Sequence, residues 1–175
     1  MSIDQSQNEH TNLLKGLNSA DPEIVLQTIE ELRTEGQTSD FPILLEMLRV
    51  ARNPEIKAKI QGLFANLKDK QTVPLMVEAI QDEKYAPVLQ QLVSACWENG
   101  MDYTRYLPVF VDLLIEKEFL VAFEAYTVIT NMETAIDQAL LDVEIDKLDK
   151  AMLSASDERK ALMLDVVDFL PSIGY

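Results

Sequence analysis

Apolar residues recur along the chain with the spacing of helices that are buried along one side. The stretch after Pro54 shows the spacing clearly, with apolar side chains three, four and seven residues apart. Its apolar members are Ile56, Ile60, Leu63, Phe64 and Leu67. The stretches after Pro22 and Pro87 follow the same pattern, which is that of an amphipathic helix. The pattern predicts an all-α fold.

The helical segments repeat. "DFPILLEML" (40–48) is echoed by "TVPLMVEAI" (72–80) and "YLPVFVDLL" (106–114), so that Pro42, Pro74 and Pro108 are spaced 32 and 34 residues apart. A second set, Pro22, Pro54 and Pro87, is spaced 32 and 33 residues apart. A period of this length is typical of stacked helical repeats, in which each helix pair buries its apolar side against the next pair.

The prolines indicate where helices begin. Proline is tolerated in the first turn, where its missing N–H has no intrahelical partner. A polar residue one or two positions earlier then acts as the N-cap. The predicted N-caps are Asp21, Asp40, Asn53 and Thr72.

These boundaries predict a single solenoid domain over residues 10–175, preceded by a flexible tail at 1–9. Each repeat consists of a helix A, a short turn and a helix B. The predicted repeats span about residues 20–52, 53–82, 83–117 and 118–150, where the fourth aligns "QALLDVEI" (138–145) with "PVFVDLLI" (108–115). Residues 10–18 are expected to form a short helix over the first repeat, and residues 156–170 a C-terminal capping helix.

The first two repeats resemble HEAT repeats of the short bacterial type that also occurs in phycobilin lyases (PBS-lyase type). The resemblance lies in "DPE" or "NPE" opening helix A, a large residue near its end, and Pro followed by three apolar residues and Glu in helix B. It covers roughly residues 20–150 and is weaker in the third and fourth repeats. It implies a HEAT/ARM-like α-α superhelix whose B helices line a concave face, in a family whose members mostly bind proteins.

The charge narrows the choice of partner. The formal net charge is −15, of which residues 89–175 contribute −10. Such a surface repels nucleic acid and anionic membranes and attracts cationic proteins or peptides, although excess acid also serves solubility alone. The single cysteine, Cys96, excludes an internal disulfide. No signal peptide or membrane span is recognisable, so a cytoplasmic location is expected.

One position of helix B is acidic in every repeat, and three repeats carry a second acid one turn later. We call these residues the acidic ridge: Glu46, Glu78, Asp82, Asp112, Glu116, Asp142 and Asp146. Like charges at i and i+4 destabilise a helix by a few tenths of a kcal/mol, which a basic partner would relieve. The alternative is that acids are habitual at this position and that Asp82 or Glu116 begins or caps the next helix.

Two aromatic features have competing interpretations. Tyr103, Arg105 and Tyr106 cluster at an A–B turn and are a second candidate binding site, because aromatics with arginine are enriched in binding hot spots; alternatively the rings pack on neighbours. The large residue at the end of helix A is predicted to be core in each repeat: Leu32, Phe64 and Trp97. Cys96 is predicted to be buried beside Trp97.

The residues offer no catalytic set, metal site or cofactor motif. His10 is the only histidine and is expected to be exposed, so neither a His-based triad nor a di-iron site is available. The favoured prediction is a non-catalytic scaffold or adaptor that binds a basic protein or peptide on its B-helix face. The alternative from a different class is a bilin-lyase-like factor or a chaperone of a prosthetic group.

Overall fold

A computed structural model describes residues 10–174. The predicted tail at 1–9 lies outside the described residues. Within residues 10–174 the chain is helical and contains no β-strand, only an isolated parallel bridge between Ile136 and Gly174. Residues 10–15 are helical and are called α1. The other α-helices are α2 (Pro22–Glu35), α3 (Phe41–Val50), α4 (Pro54–Ala65), α5 (Thr72–Gln81), α6 (Leu89–Glu98), α7 (Leu107–Glu116), α8 (Phe119–Thr130), α9 (Gln138–Met152) and α10 (Asp157–Phe169). The all-α prediction is confirmed.

The chain divides into two compact units, Met1–Leu67 and Lys68–Tyr175. The boundary falls between helix A and helix B of the second predicted repeat. In the first unit α2 packs against α4, and α3 also packs against α4. Phe41 and Phe64 meet there with their ring centroids 5.0 Å apart.

Within residues 68–174, five α-helices follow α5, the first α-helix of the second unit. α6 packs against α8 and α8 against α10, whereas α7 packs against both α8 and α9. From α6 onward, helices two places apart in the chain are therefore neighbours, and so are the consecutive pairs α5–α6, α7–α8 and α9–α10. Its core includes the fully buried side chains of Leu92, Phe110, Leu114, Ile129 and Leu148.

The predicted N-caps divide into two that cap and two that do not. Asp21 and Asn53 accept hydrogen bonds from the backbone N–H of Glu23 and Glu55 at 3.0 and 2.8 Å. Thr72 instead lies within α5, and its hydroxyl donates to the carbonyl oxygen of Asp69. The prediction that Thr72 is an N-cap was wrong. The turn in which Thr72 bonds to the carbonyl oxygen of Asp69 places the start of α5 at Thr72, two residues before Pro74.

Asp40 is buried and its carboxylate has partners other than α3. Oδ2 accepts from the backbone N–H of Gln37 at 2.7 Å, and Oδ1 lies 2.8 Å from Nε2 of His10. His10 is only 13% exposed, so the prediction of an exposed histidine was wrong. The contact joins α1 to the start of α3, which sequence spacing alone does not reveal.

Two boundaries differ from the repeat prediction. Pro87 lies in the 3₁₀-helix Glu83–Val88, and α6 begins only at Leu89. The last helix B is α9 (Gln138–Met152), which Asp137 caps and which extends two residues beyond the predicted end of the fourth repeat at 150. A helix is present where the C-terminal helix was predicted: Ser156 accepts from the N–H of Arg159 and α10 follows.

Candidate functional site

The residues of the acidic ridge mostly point away from the core. Glu78, Asp82, Asp112, Glu116, Asp142 and Asp146 are exposed, and Glu46 is partly buried. Glu46 belongs to the first unit and the other six belong to the second. The reason for the exposure is local: the apolar side of each helix B occupies the core and leaves the acidic positions on the opposite side.

Asp112 on α7 is linked to α9 through Lys147. Nζ of Lys147 donates to Oδ1 of Asp112 at 2.9 Å and lies 2.9 Å from Oε2 of Glu144. Partial burial favours the neutral amine, but the two carboxylates outweigh it and raise the pKa of Lys147 above its ordinary value. The ridge thus carries its own counter-ion at this point.

Glu144 is a buried acid that the sequence analysis did not identify. Its side chain is only 3% exposed, and Oε2 has no aligned hydrogen-bond partner among the described residues despite its proximity to Lys147. In the alignment of α9 with α7, Glu144 has the same repeat position as Leu114, which is fully buried. A carboxylate therefore occupies a position of the repeat that is otherwise apolar. The spacing of three residues between Glu144 and Lys147 is the sequence signal that could have indicated an ion pair here.

Three other ridge residues also have partners on their own helices. Glu46 pairs with Arg49 on its own helix, and Asp146 pairs with Lys150. Asp142 accepts a hydrogen bond from the side-chain amide of Gln138 at 2.8 Å.

Asp82 and Glu116 take different roles. Asp82 accepts from the backbone N–H of Lys84 at 2.9 Å and caps the 3₁₀-helix that precedes α6, as the alternative interpretation proposed. Glu116 is the last residue of α7. Among residues 10–174, Glu78 and Glu116 have no ion pair or hydrogen bond through their side chains. These two are the ridge acids whose side chains have no partner in this part of the chain, whereas Asp82 and Asp142 accept hydrogen bonds from neutral groups but have no cation there.

The basic side chains of the second unit are largely engaged by the chain itself. Lys147 and Lys150 hold carboxylates, as described, and Lys117 lies 3.5 Å from Glu83. Arg159 donates to backbone carbonyl oxygens at the end of α7 at 2.5 to 3.0 Å. Acids outnumber bases by ten over residues 89–175, so these contacts leave a large negative excess at the surface.

The aromatic cluster at the A–B turn is only partly available for binding. Tyr103 is 2% exposed, packs edge-on against Phe110 with centroids 5.9 Å apart, and receives a hydrogen bond from Asn99 at 3.1 Å. The ring therefore packs on its neighbours beneath the turn, as the alternative interpretation expected. Arg105 is exposed and stacks on Tyr106 at 5.0 Å from the ring centroid.

Trp97 departs from the core prediction. Leu32 and Phe64 are 4% and 1% exposed, whereas Trp97 is 39% exposed. Its indole N–H donates to Oε2 of Glu124 on α8 at 2.8 Å. The prediction that Trp97 is core was wrong, although its neighbour Cys96 is buried as predicted.

Trp97 forms part of a cavity of about 240 Å³ where α6 and α8 end. The lining also includes Cys96, Asp102 and Tyr103 from the first helix and its turn, and Met132, Glu133 and Thr134 from the second. Sequence spacing did not reveal this cavity, because its two sides come from turns about 30 residues apart in the chain.

The described part of the chain contains no group of His, Cys, Asp or Glu side chains arranged to hold a metal ion. Among residues 10–174, none of the helices combines the length and the apolar character required to cross a membrane.

The arrangement defines an all-α protein with an acidic second unit. No protein-family model matches the chain, and no curated protein shows significant similarity to it.

Proposed function

We propose that the protein is a non-catalytic scaffold that binds a basic protein or peptide through the exposed faces of its B helices. In this proposal the helix pairs continue as a HEAT-like α-solenoid. The proposal is supported by the packing within the second unit, where α6, α8 and α10 are successive neighbours and α7 packs against α9. Such packing is the pattern that stacked helical pairs produce.

The observation that carries the proposal is the uncompensated charge of the second unit. The lysines nearest the ridge are already paired with carboxylates, and within residues 10–174 Glu78, Asp82, Glu116 and Asp142 remain without a cation. An excess of this sign raises the local concentration of cationic partners and accelerates their association. The cost of holding like charges together falls when a partner supplies lysine or arginine.

The test uses charge reversal at three ridge residues that do not hold Lys147. The variant Glu78→Lys, Glu116→Lys, Asp142→Lys is compared with the wild type in capture experiments from native lysate, with bound proteins identified by mass spectrometry. A partner supports the proposal if it is basic, if its capture weakens as salt rises from 50 to 300 mM, and if the variant fails to retain it. These concentrations span Debye lengths from roughly 14 to 6 Å.

A matched control separates the ridge from net charge. The variant Glu118→Lys, Glu158→Lys, Asp168→Lys changes the same number of exposed acids on or beside α8 and α10. Equal loss of the partner in both variants would show that bulk charge, rather than the B-helix face, governs binding. Absorbance after mixing the protein with bilin or haem tests the alternative: chromophore binding without a salt-sensitive protein partner would favour the prosthetic-group factor.

A further inference from the structure

The cavity between the ends of α6 and α8 has the chemistry of a site for a cationic side chain. We propose that it binds the side chain of an arginine presented by a basic partner. The inference deepens the proposed function and rests on it for the identity of the partner as a protein or peptide. The site itself is distinct from the acidic ridge, because none of the ridge residues lines it.

Three of the side chains that line the cavity are buried and uncharged. Cys96 and Tyr103 are 1% and 2% exposed, and Met132 is 5% exposed. Burial raises the pKa of the Cys96 thiol and of the Tyr103 hydroxyl above their ordinary values, so both remain uncharged at neutral pH. Buried, uncharged side chains of this kind suit the alkyl part of a long side chain, which buries its methylene groups and keeps its charged end near water.

The rim of the cavity carries two carboxylates. Asp102 accepts from the N–H of Thr104 at 2.9 Å and from the hydroxyl of Thr134 at 3.0 Å. Partial burial opposes ionisation, but these hydrogen bonds and the charge of Lys70 hold the pKa of Asp102 below its ordinary value. Glu133 is exposed and has no ion pair within residues 10–174. One carboxylate of the rim is thus free to receive a cation.

The helix ends add to the negative potential. Both α6 and α8 direct their C-termini to the cavity, where the helix dipole favours a cation. The end of α6 already holds a cation of the chain, because Lys68 donates to the carbonyl oxygen of Asn99, the C-cap of α6, at 2.7 Å. Arg159 has the same role at the end of α7. The last turn of α8 contains no basic residue.

Trp97 favours arginine among the cations. Its indole is held by the hydrogen bond to Glu124 and is the aromatic surface of the cavity that remains 39% exposed. A guanidinium is planar and weakly hydrated, stacks on an indole, and can also donate to a carboxylate such as Glu133. The volume of about 240 Å³ is below that of most drug-sized pockets and suits a single side chain.

The experiment follows the indole N–H resonance of Trp97 in the full-length, ¹⁵N-labelled protein, which contains no other tryptophan. The probes are the blocked tripeptide Gly-Arg-Gly and its counterpart with citrulline, which has the shape of arginine without its charge. We expect saturable shifts of the Trp97 signal with the arginine peptide and none with the citrulline peptide. Equal shifts with both peptides, or no shift with either, would overturn the proposal.

A pair of variants locates the site. Glu133→Gln is expected to weaken binding of the arginine peptide about fivefold, whereas Glu116→Gln, which removes an exposed acid of the ridge, is expected to leave it unchanged. If both variants bind the arginine peptide equally weakly, the response is due to the net charge of the protein and the proposed site is refuted. The two proposals fail separately: ridge reversal that leaves partner capture intact refutes the scaffold proposal, while the Trp97 titration still decides the cavity.

Discussion

Replacing Glu144 by leucine is expected to stabilise the second unit. Leucine is the residue at the aligned position of α7, where Leu114 is fully buried. The carboxylate of Glu144 is 3% exposed and Lys147 is 36% exposed, so the pair loses hydration at the acid while water still screens the amine. Exchange of a buried ion pair for apolar packing is often neutral or stabilising by about 1–4 kcal/mol.

The lower half of that range applies because Lys147 keeps Asp112 as a partner. We expect Glu144→Leu to raise the free energy of unfolding by about 1–2 kcal/mol, with the midpoint temperature rising by about 2–4 °C per kcal/mol for a chain of this size. Urea unfolding at pH 7 is followed by the fluorescence of Trp97, which lies in the second unit. This probe is needed because two units need not unfold in one transition.

The matched variant is Lys147→Met, which leaves the Glu144 carboxylate buried without its cation. It is expected to lower the free energy of unfolding by about 2 kcal/mol, less than for a fully buried pair. In the double variant with Glu144→Leu most of that loss should disappear, because no stranded charge remains. A loss of more than about 1 kcal/mol in Glu144→Leu alone would refute the reasoning, since it would mean that the ion pair is worth more than apolar packing.

Three further predictions concern caps and acid stability. Asn53→Ala removes the hydrogen bond to the N–H of Glu55 and is expected to cost about 1 kcal/mol in urea unfolding, with Asn53→Asp as the neutral control. Arg159→Ala removes the donors to the end of α7 and is expected to cost about 2–3 kcal/mol, which Arg159→Lys restores only in part. The lowered pKa of Asp102 contributes stability that is present above its unfolded-state pKa of about 4 and is lost as pH falls through the folded value. Asp102→Asn is therefore expected to flatten the acid limb of the stability–pH curve; an unchanged limb would contradict the assignment.

Local patterns predicted the helices and several of their ends. Asp21 and Asn53 stand directly before a proline that opens a helix, and each caps its helix as expected. Asp40 and Thr72 stand two residues before theirs, and neither caps. The extra residue lets the helix begin before the proline. Proline is tolerated throughout the first helical turn, because a backbone N–H there has no intrahelical acceptor.

The candidate site could be predicted less completely, because its electrostatics depend on contacts between helices. Asp112 lies 35 residues from Lys147, and Trp97 lies 27 residues from Glu124. The repeat alignment predicted that Trp97 would be buried like Phe64, since both end a helix A. It could not show that Glu124 would bind the indole N–H and keep part of the ring at the surface.

The same contacts also determine where the excess negative charge lies on the surface. Lys147 and Arg159 are used within the fold, one between two carboxylates and the other at the end of α7. A chain that needed charge only for solubility could leave its lysines in solvent, where they would offset nearby acids. Here the internal use of cations concentrates the unpaired acids, among them Glu116 and Glu133, at the surface of one unit. This exposed negative charge is the physical basis for the proposal of a basic partner.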